Sequence, residues 1–314
     1  MDYRNDDIRY MRRALQLARY GAGHVSPNPM VGCVIVDANG LIIGEGWHRR
    51  FGEGHAEVNA MASVREEDKP RLKGATLYVT LEPCSHYGKT PPCADMVASS
   101  EIVRVVVGMQ DPNPKVSGRG NGKLLAAGKS VTVGVLEEEC RELNKRFITA
   151  QVEHRPYVTL KWARDAKGDM GFCNPDTSQR TIYSNPLSLM WMHRCRSLHD
   201  AIMVGERTAA IDNPSLTVRY WVGNTPRKII LKHTDNLAAM LEDLWQEGIS
   251  SLLVEGGARL LQAFIDAKLY DEIREEINYH QLPGDLPAPV TNDPITNKMQ
   301  VRSNDILLKR VKKL

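Results

Sequence analysis

His55, Cys84 and Cys93 offer one imidazole and two thiols, and Glu57 stands two residues after the histidine. That is the donor count of a catalytic zinc site, in which three side chains hold the ion and a fourth position is left to water. Zinc lowers the pKa of such a water and makes it a nucleophile at neutral pH. Glu57 is close to a ligand yet need not bind metal, so its carboxylate suits a proton shuttle. Cys93 falls in the first turn of a predicted helix, where the helix dipole favours an anionic thiolate. An isolated His-x-Glu means little, and a Pro-Cys with a distant Cys also describes buried thiols. Their joint occurrence in this order, each at a predicted helix start or strand end, points to a metal.

The elements that must position these residues can be read from periodicity. Asp7 to Tyr20 has an amphipathic helical pattern, with Ile8, Met11, Leu15 and Ala18 on one face. Val31 to Val36 and Leu41 to Ile43 are apolar runs joined by Asp37-Ala38-Asn39-Gly40, a hairpin signal. A helix is expected over His55 to Val64, a strand over Ala75 to Leu81, a helix over Pro92 to Ser99 and a strand over Val103 to Val107. A further strand at Val131 to Val133 leads into a helix near Leu136 to Arg146. This order describes an α/β domain over residues 1–150 with a mostly covered sheet. A boundary is expected at about Ala150 to Pro156, and a second domain over 156–314. Its expected strands are Tyr157 to Trp162, Ala201 to Val204, Lys228 to Leu231 and Ser251 to Glu255, with helices at Leu187 to Arg196 and Leu237 to Gln246. Alternation on this scale again indicates α/β.

The general zinc-deaminase pattern has two residues between its cysteines, whereas eight separate Cys84 from Cys93. The segment Leu81-Glu82-Pro83-Cys84-Ser85-His86-Tyr87-Gly88-Lys89-Thr90-Pro91-Pro92-Cys93 closely resembles the deaminase half of the bifunctional riboflavin-biosynthesis deaminase–reductases. The resemblance continues through Pro27-Asn28-Pro29-Met30-Val31-Gly32-Cys33-Val34, Gly46-Trp47-His48, Gly54-His55-Ala56-Glu57-Val58 and Gln110-Asp111-Pro112-Asn113-Pro114. It implies a cytidine-deaminase-like fold, a zinc cofactor and a diaminopyrimidinone substrate carrying a ribosylamino 5′-phosphate. Glu57 would then pass the proton to the ring nitrogen and the departing ammonia. Asn28 can give a heterocycle edge both a donor and an acceptor. His86, Lys89 and Thr90 are plausible contacts for base or phosphate, and equally ordinary loop residues. Cys33 is expected in the core, and Cys140, Cys173 and Cys195 are expected to be structural thiols.

From Pro156 the chain resembles the reductase half of the same family, whose fold is similar to dihydrofolate reductase. The matching segments are Asp200-Ala201-Ile202-Met203-Val204-Gly205, Thr208, Asp212 to Arg219, and Leu253-Val254-Glu255-Gly256-Gly257. By that correspondence Arg196, Leu216, Arg219 and Glu255 would contact substrate. Thr208, Asp212 and the run Gly257, Ala258, Arg259, Leu260, Leu261, Gln262 and Ala263 would contact NADPH. The residues agree in part. Glycines between a strand and a helix let backbone N–H groups approach a phosphate, and two arginines can fork onto one. A lone Glu-Gly-Gly, though, is usually only a tight turn. This half also departs from the family pattern. The expected Ser-Leu-Asp-Gly turn is Asp165-Ala166-Lys167-Gly168, a serine and a tryptophan fall on Arg180 and Ile182, and the span from Leu231 to Ser251 is short. A shortened domain that serves only dimerisation or scaffolding therefore stands as the alternative to an active reductase.

With 314 residues, 42% hydrophobic and 25% charged, the composition fits a two-domain globular protein. No apolar run approaches the roughly 20 residues that span a bilayer, and Met1 to Asp7 lacks the order of a secretion signal. A cytoplasmic protein without a membrane partner is expected. A net charge of +3 and 6% aromatic residues argue against a nucleic-acid deaminase, which needs a basic groove or stacking rings. The basic tail with Lys309, Arg310, Lys312 and Lys313 reads as a solvated end. The partners implied are a small pyrimidine ribosyl phosphate, NADPH and further copies of the chain in a dimer or tetramer.

Overall fold

The computed structural model describes residues 4–86, 91–173, 181–232 and 236–310, which form two compact units, Met1–Glu153 and His154–Leu314. In the first unit the helix α1 spans Asn5–Ala18. Asp6 and Asp7 sit in its first turn, where the helix dipole favours negative charge. Its buried face is wider than the predicted stripe. Tyr10, Ala14 and Leu17 join Met11, Leu15 and Ala18 in the core, while Ile8 stays at the rim.

The strands β1 (Gly32–Val36), β2 (Ile42–Trp47), β3 (Thr76–Leu81), β4 (Arg104–Met109) and β5 (Ser130–Val133) form one sheet in the order β2-β1-β3-β4-β5. β1 pairs antiparallel with β2 and β3, and β3, β4 and β5 run parallel. β1 is buried along its whole length, as expected of a strand covered on both faces. The covering helices come unusually close. A Cβ on Gly32 would stand 2.0 Å from the Ala14 carbonyl oxygen, and one on Gly46 would stand 2.3 Å from the Ala60 nitrogen. Gly46 thus lets α2 (Ala56–Ser63) lie directly on β2. α3 (Cys93–Ser99) and α4 (Arg119–Ala126) follow. The helix expected near Leu136 to Arg146 divides into α5 (Glu137–Leu143) and α6 (Lys145–Glu153). The break is Asn144, whose buried amide pairs with both backbone groups of Met30, at 2.8 and 2.9 Å.

The second unit is built on seven strands in the order β11-β12-β10-β6-β9-β7-β8. They are β6 (Tyr157–Arg164), β7 (Ala201–Gly205), β8 (Arg227–Leu231), β9 (Ser251–Val254), β10 (Glu272–Asn278), β11 (Ile295–Val301) and β12 (Asn304–Arg310). The run β10-β6-β9-β7-β8 is parallel, and β12 and β11 extend it antiparallel. The helices are α7 (Pro186–Ser197), α8 (Glu206–Asp212), α9 (Leu237–Gln246) and α10 (Ala258–Asp266). Asn185 and Asn236 cap α7 and α9, each accepting two backbone N–H groups. Val158, Leu160, Met203, Leu252, Val254, Leu261 and Phe264 form the core. The three C-terminal strands were not expected. β10 reads Glu-Ile-Arg-Glu-Glu-Ile-Asn, yet Glu272, Glu275 and Glu276 are all buried. Arg164 and Lys309 meet Glu275 at 2.5 and 2.6 Å, and Ser184 and Asn304 donate to Glu276.

A buried ion pair ties the first unit's opening helix to its sheet. Arg104 donates to both carboxylate oxygens of the buried Asp7, at 2.7 and 2.8 Å, and the Tyr78 hydroxyl adds a third bond at 3.0 Å. Burial alone would raise the Asp7 carboxyl, but these partners more than offset it and hold it below the ordinary value. Its stabilisation is fully present above the unfolded carboxylate pKa, about 3.9, and is lost as pH falls through the lower folded value. Removing Asp7 leaves a guanidinium facing an apolar sheet. Asp7→Ala should cost about 3–5 kcal/mol, measured by urea unfolding of the full chain at pH 7. The penalty should shrink as the measurement is moved down through the acid range.

Candidate functional site

His55 caps the N-terminus of α2, so its ring leaves the helix at the point where Glu57 enters the first turn. Cys84 follows the C-terminal end of β3 after Glu82-Pro83, and Cys93 is the first residue of α3. Their ligand atoms all lie within 4.8 Å of one another, and they form the one such cluster of three among the described residues. The Cys84 and Cys93 sulfurs stand 3.5 and 3.4 Å from His55 Nδ1. Metal–sulfur bonds of about 2.3 Å and metal–nitrogen bonds of about 2.0 Å, held tetrahedrally, give edges of about 3.5 Å. The donor set and its spacing fit zinc.

The local backbone prepares the anionic ligand. Cys93 N–H donates to Cys84 Sγ at 3.2 Å, and Ala94 N–H donates to the Cys84 carbonyl at 3.1 Å. The Cys93 thiol, the His55 ring and that backbone N–H hold the Cys84 thiol well below its ordinary pKa. Cys93 is pushed the other way, by its hydrogen bond to Cys84 and by burial. Glu57 is 3% exposed, and burial together with the neighbouring Cys84 charge raises its carboxyl to about 7.

Two positioning groups in this unit lie within the quoted motifs but receive no role from the sequence reading. The His48 ring stands edge-on to His55, with centroids 5.5 Å apart. His48 Nδ1 faces the Gly54 carbonyl and its Nε2 faces the Asn28 amide, both at 3.2 Å. The first bond places the proton on Nδ1, so Nε2 accepts from Asn28 Nδ2 and fixes the orientation of the amide. Glu82, also buried, accepts backbone N–H groups from Asp111, Gly118, Gly120 and Asn121. It therefore holds the loop after β4 against the strand end that carries Cys84. Nothing in sequence spacing separates His48 or Glu82 from ordinary polar residues. His86 is exposed, and Lys89 and Thr90 lie outside the described residues. Cys33, Cys140 and Cys195 are buried thiols, whereas Cys173 is exposed.

In the second unit Arg196 and Glu255 meet in a buried two-pronged pair, at 3.0 and 2.7 Å, and Arg196 Nη1 also donates to the Thr217 carbonyl at 3.2 Å. Burial would raise Glu255, but Arg196 more than offsets this and the carboxyl lies below its ordinary value. Leu216 is buried in the left-handed region at φ 55°. Gly257 N–H donates to Thr208 Oγ1 at 3.2 Å, which brings together two of the residues matched to cofactor contacts. Asp212 ends α8 and is exposed. Along α10, Ala258 and Leu260 are half-buried, Arg259 and Ala263 are exposed, Gln262 pairs with the Val290 backbone and Leu261 faces the core. The Asp165 turn is well closed, because its carboxylate accepts from Lys167, Gly168, Asp169 and Leu282. Ile182 is largely exposed, and Arg180 lies outside the described residues.

Residues 4–109 match the cytidine and deoxycytidylate deaminase zinc-binding region, and residues 156–278 match the RibD C-terminal domain. The riboflavin biosynthesis protein RibD of Aquifex aeolicus is 38% identical over 86% of both chains. That of Bacillus amyloliquefaciens is 36% identical over 84% of this chain and 82% of its own. A crystal structure of a diaminohydroxyphosphoribosylaminopyrimidine deaminase/5-amino-6-(5-phosphoribosylamino)uracil reductase from Thermotoga maritima superimposes with a TM-score of 0.87 at 32% identity. The match covers 97% of this chain and 98% of that one. Similarity of this extent, carried by both halves, makes the chain a member of the family of bifunctional deaminase–reductases of riboflavin biosynthesis.

Proposed function

We propose that His55, Cys84 and Cys93 hold the zinc and that Glu57 moves the proton in hydrolytic deamination of 2,5-diamino-6-ribosylamino-4(3H)-pyrimidinone 5′-phosphate. The observation that carries this reading is the convergence of the three donors at tetrahedral spacing beside a buried carboxyl. Bound zinc supplies Lewis acidity that lowers the pKa of a coordinated water. The chain's own residues do the rest. A carboxyl raised to about 7 is poised between its two forms near neutrality. As carboxylate, Glu57 accepts the water's proton. As acid, it returns the proton to the ring nitrogen and then to the departing amine, and ammonia leaves with a carbonyl in its place. Asn28, oriented by His48, presents its amide to the edge of the heterocycle.

The second half then reduces the ribosyl side chain to ribityl. NADPH supplies the hydride, and the protein's part is to set C1′ against the nicotinamide and to bind the phosphate. Gly257 stands at the N-terminus of α10, where backbone N–H groups favour a cofactor phosphate, and the hydroxyl of Thr208 reaches it from α8. The match of residues 156–278 to the family's own C-terminal domain favours an active reductase over a scaffold. No helix among the described residues is long and apolar enough to cross a membrane. None of the six cysteines is joined in a disulfide, as suits a reducing compartment. We place the enzyme in the cytoplasm as a homo-oligomer, a state that light scattering on the purified chain reads directly.

Following ammonia release and NADPH oxidation separately tests both halves. The wild type should carry about one zinc per chain by elemental analysis, as a closed three-ligand set requires, and should give both signals with the diaminopyrimidinone. Glu57→Gln should keep its zinc and lose about 10²–10⁴-fold in ammonia release. Full activity of that variant would exclude the shuttle. Cys93→Ala should lose both zinc and ammonia release, yet still oxidise NADPH when given the deaminated intermediate. Ammonia release without any NADPH oxidation in the wild type would restore the scaffold reading.

A further inference from the structure

Helix α7 buries two residues one turn apart, His193 and Arg196, and both hold the segment Leu216 to Arg219. Arg196 donates to the Thr217 carbonyl. His193 is fully buried, and its Nδ1 accepts the backbone N–H of Arg219 at 2.9 Å. A ring that accepts at Nδ1 carries its proton on Nε2 when neutral. That Nε2 is buried and has no hydrogen-bond partner among the described residues. Burial and the nearby charges of Arg196 and Arg219 keep the ring neutral, with its pKa below the ordinary value. The Tyr220 ring packs edge-on against it, 4.8 Å between centroids. The segment begins at Leu216 in the left-handed region, a conformation that persists in a bulky residue only where its surroundings hold it.

The charges around this segment do not balance. Lys161, Arg196 and Arg219 all act on the group formed by His193 and Glu255, and Glu255 is the one carboxylate among them. Arg196 is already engaged by Glu255, while among the described residues Lys161 Nζ meets Met192 Sδ at 3.5 Å and no carboxylate. The guanidinium of Arg219 lies over the Tyr220 ring at the surface. A buried neutral donor and excess positive charge suit an anionic ester. We infer that His193 is a positioning residue for the phosphate of the reductase substrate. By accepting the Arg219 N–H it fixes the segment that presents the Arg219 guanidinium to that anion. The inference rests on the reductase reading given above.

The test uses the zinc-loaded full chain. His193→Phe keeps a ring but removes the acceptor, whereas the Oδ1 of His193→Asn can still accept the Arg219 N–H. In His193→Phe the KM for 5-amino-6-(5-phosphoribosylamino)uracil should rise about 10- to 100-fold, the cost of a buried N–H left unpaired. Its kcat, its KM for NADPH and its ammonia release should stay within about twofold, as expected when only substrate binding is lost. His193→Asn should recover most of the wild-type KM. Amide exchange at Arg219 should speed up in His193→Phe and stay protected in His193→Asn. An unchanged KM in His193→Phe, equal losses in both variants, or a parallel rise in the KM for NADPH would each overturn the inference. A wild type that fails to oxidise NADPH would strike the reductase reading itself, and unchanged exchange at Arg219 in His193→Phe would strike the role of His193.

Discussion

A zinc ion accepts its ligands only at the corners of a small tetrahedron, and the first unit is organised around meeting that demand with side chains from three separate elements. His55 arrives at a helix cap, Cys84 beyond a strand end and Cys93 at a second helix start. Each is anchored by backbone geometry as well as by packing. Gly46 sets the distance of α2 from the sheet, and the N–H of Cys93 points at Cys84 Sγ. The same closeness of two thiols and a carboxyl would be repulsive if all three were charged. Burial first and the Cys84 charge second raise Glu57, and the hydrogen bond between the two thiols drives Cys84 down and Cys93 up. A divalent cation would offset the negative charge of such a cluster, so the three donors and Glu57 form one electrostatic arrangement.

Buried charge recurs throughout the molecule, and each instance joins elements far apart in sequence. Asp7 meets Arg104, Glu82 gathers four backbone N–H groups of the loop after β4, Asp271 meets Arg155, and Glu275 meets Arg164 and Lys309. Pairs of this kind add little net stability over well-packed apolar residues. Their effect is on register. A carboxylate left without its partners costs several kcal/mol, roughly 3–5 where a buried pair is broken. A slipped strand or a displaced loop would therefore be penalised at once. In the first unit the loop so fixed adjoins Cys84, which links the accuracy of the fold to that of the site.

These pairings also explain what the sequence conveyed and what it withheld. α2, α3 and the strands β3 and β4 emerged within a residue or two of their positions, because apolar runs and proline or histidine boundaries mark them locally. The three candidate metal donors were legible for the same reason. Their spacing is a property of short segments at element ends. β10 was not legible, since three glutamates in seven residues resemble a solvated helix until Arg164, Lys309 and Asn304 are brought beside them. The break between α5 and α6 depends on Asn144 finding Met30, far back along the chain. His48 and His193 are in the same position. Each is an ordinary histidine until the fold supplies the Asn28 amide or the Arg219 N–H.

The two halves place their chemistry at the same kind of junction, where a strand ends and the next helix begins, but they differ in what occupies it. After β3 the backbone N–H of Cys93 already has an anion, because Cys84 Sγ belongs to the chain. After β9 the N–H of Gly257 is taken up by the neutral Thr208 hydroxyl. The first junction therefore gathers its three candidate donors through folding alone. At the second, the acceptor is a neutral hydroxyl, which holds that N–H less strongly than an anion would. The motifs of the deaminase half read clearly for this reason. Its acceptor is written into the sequence as a cysteine beside a proline, whereas that of the reductase half is a threonine of α8 that only the fold brings to Gly257.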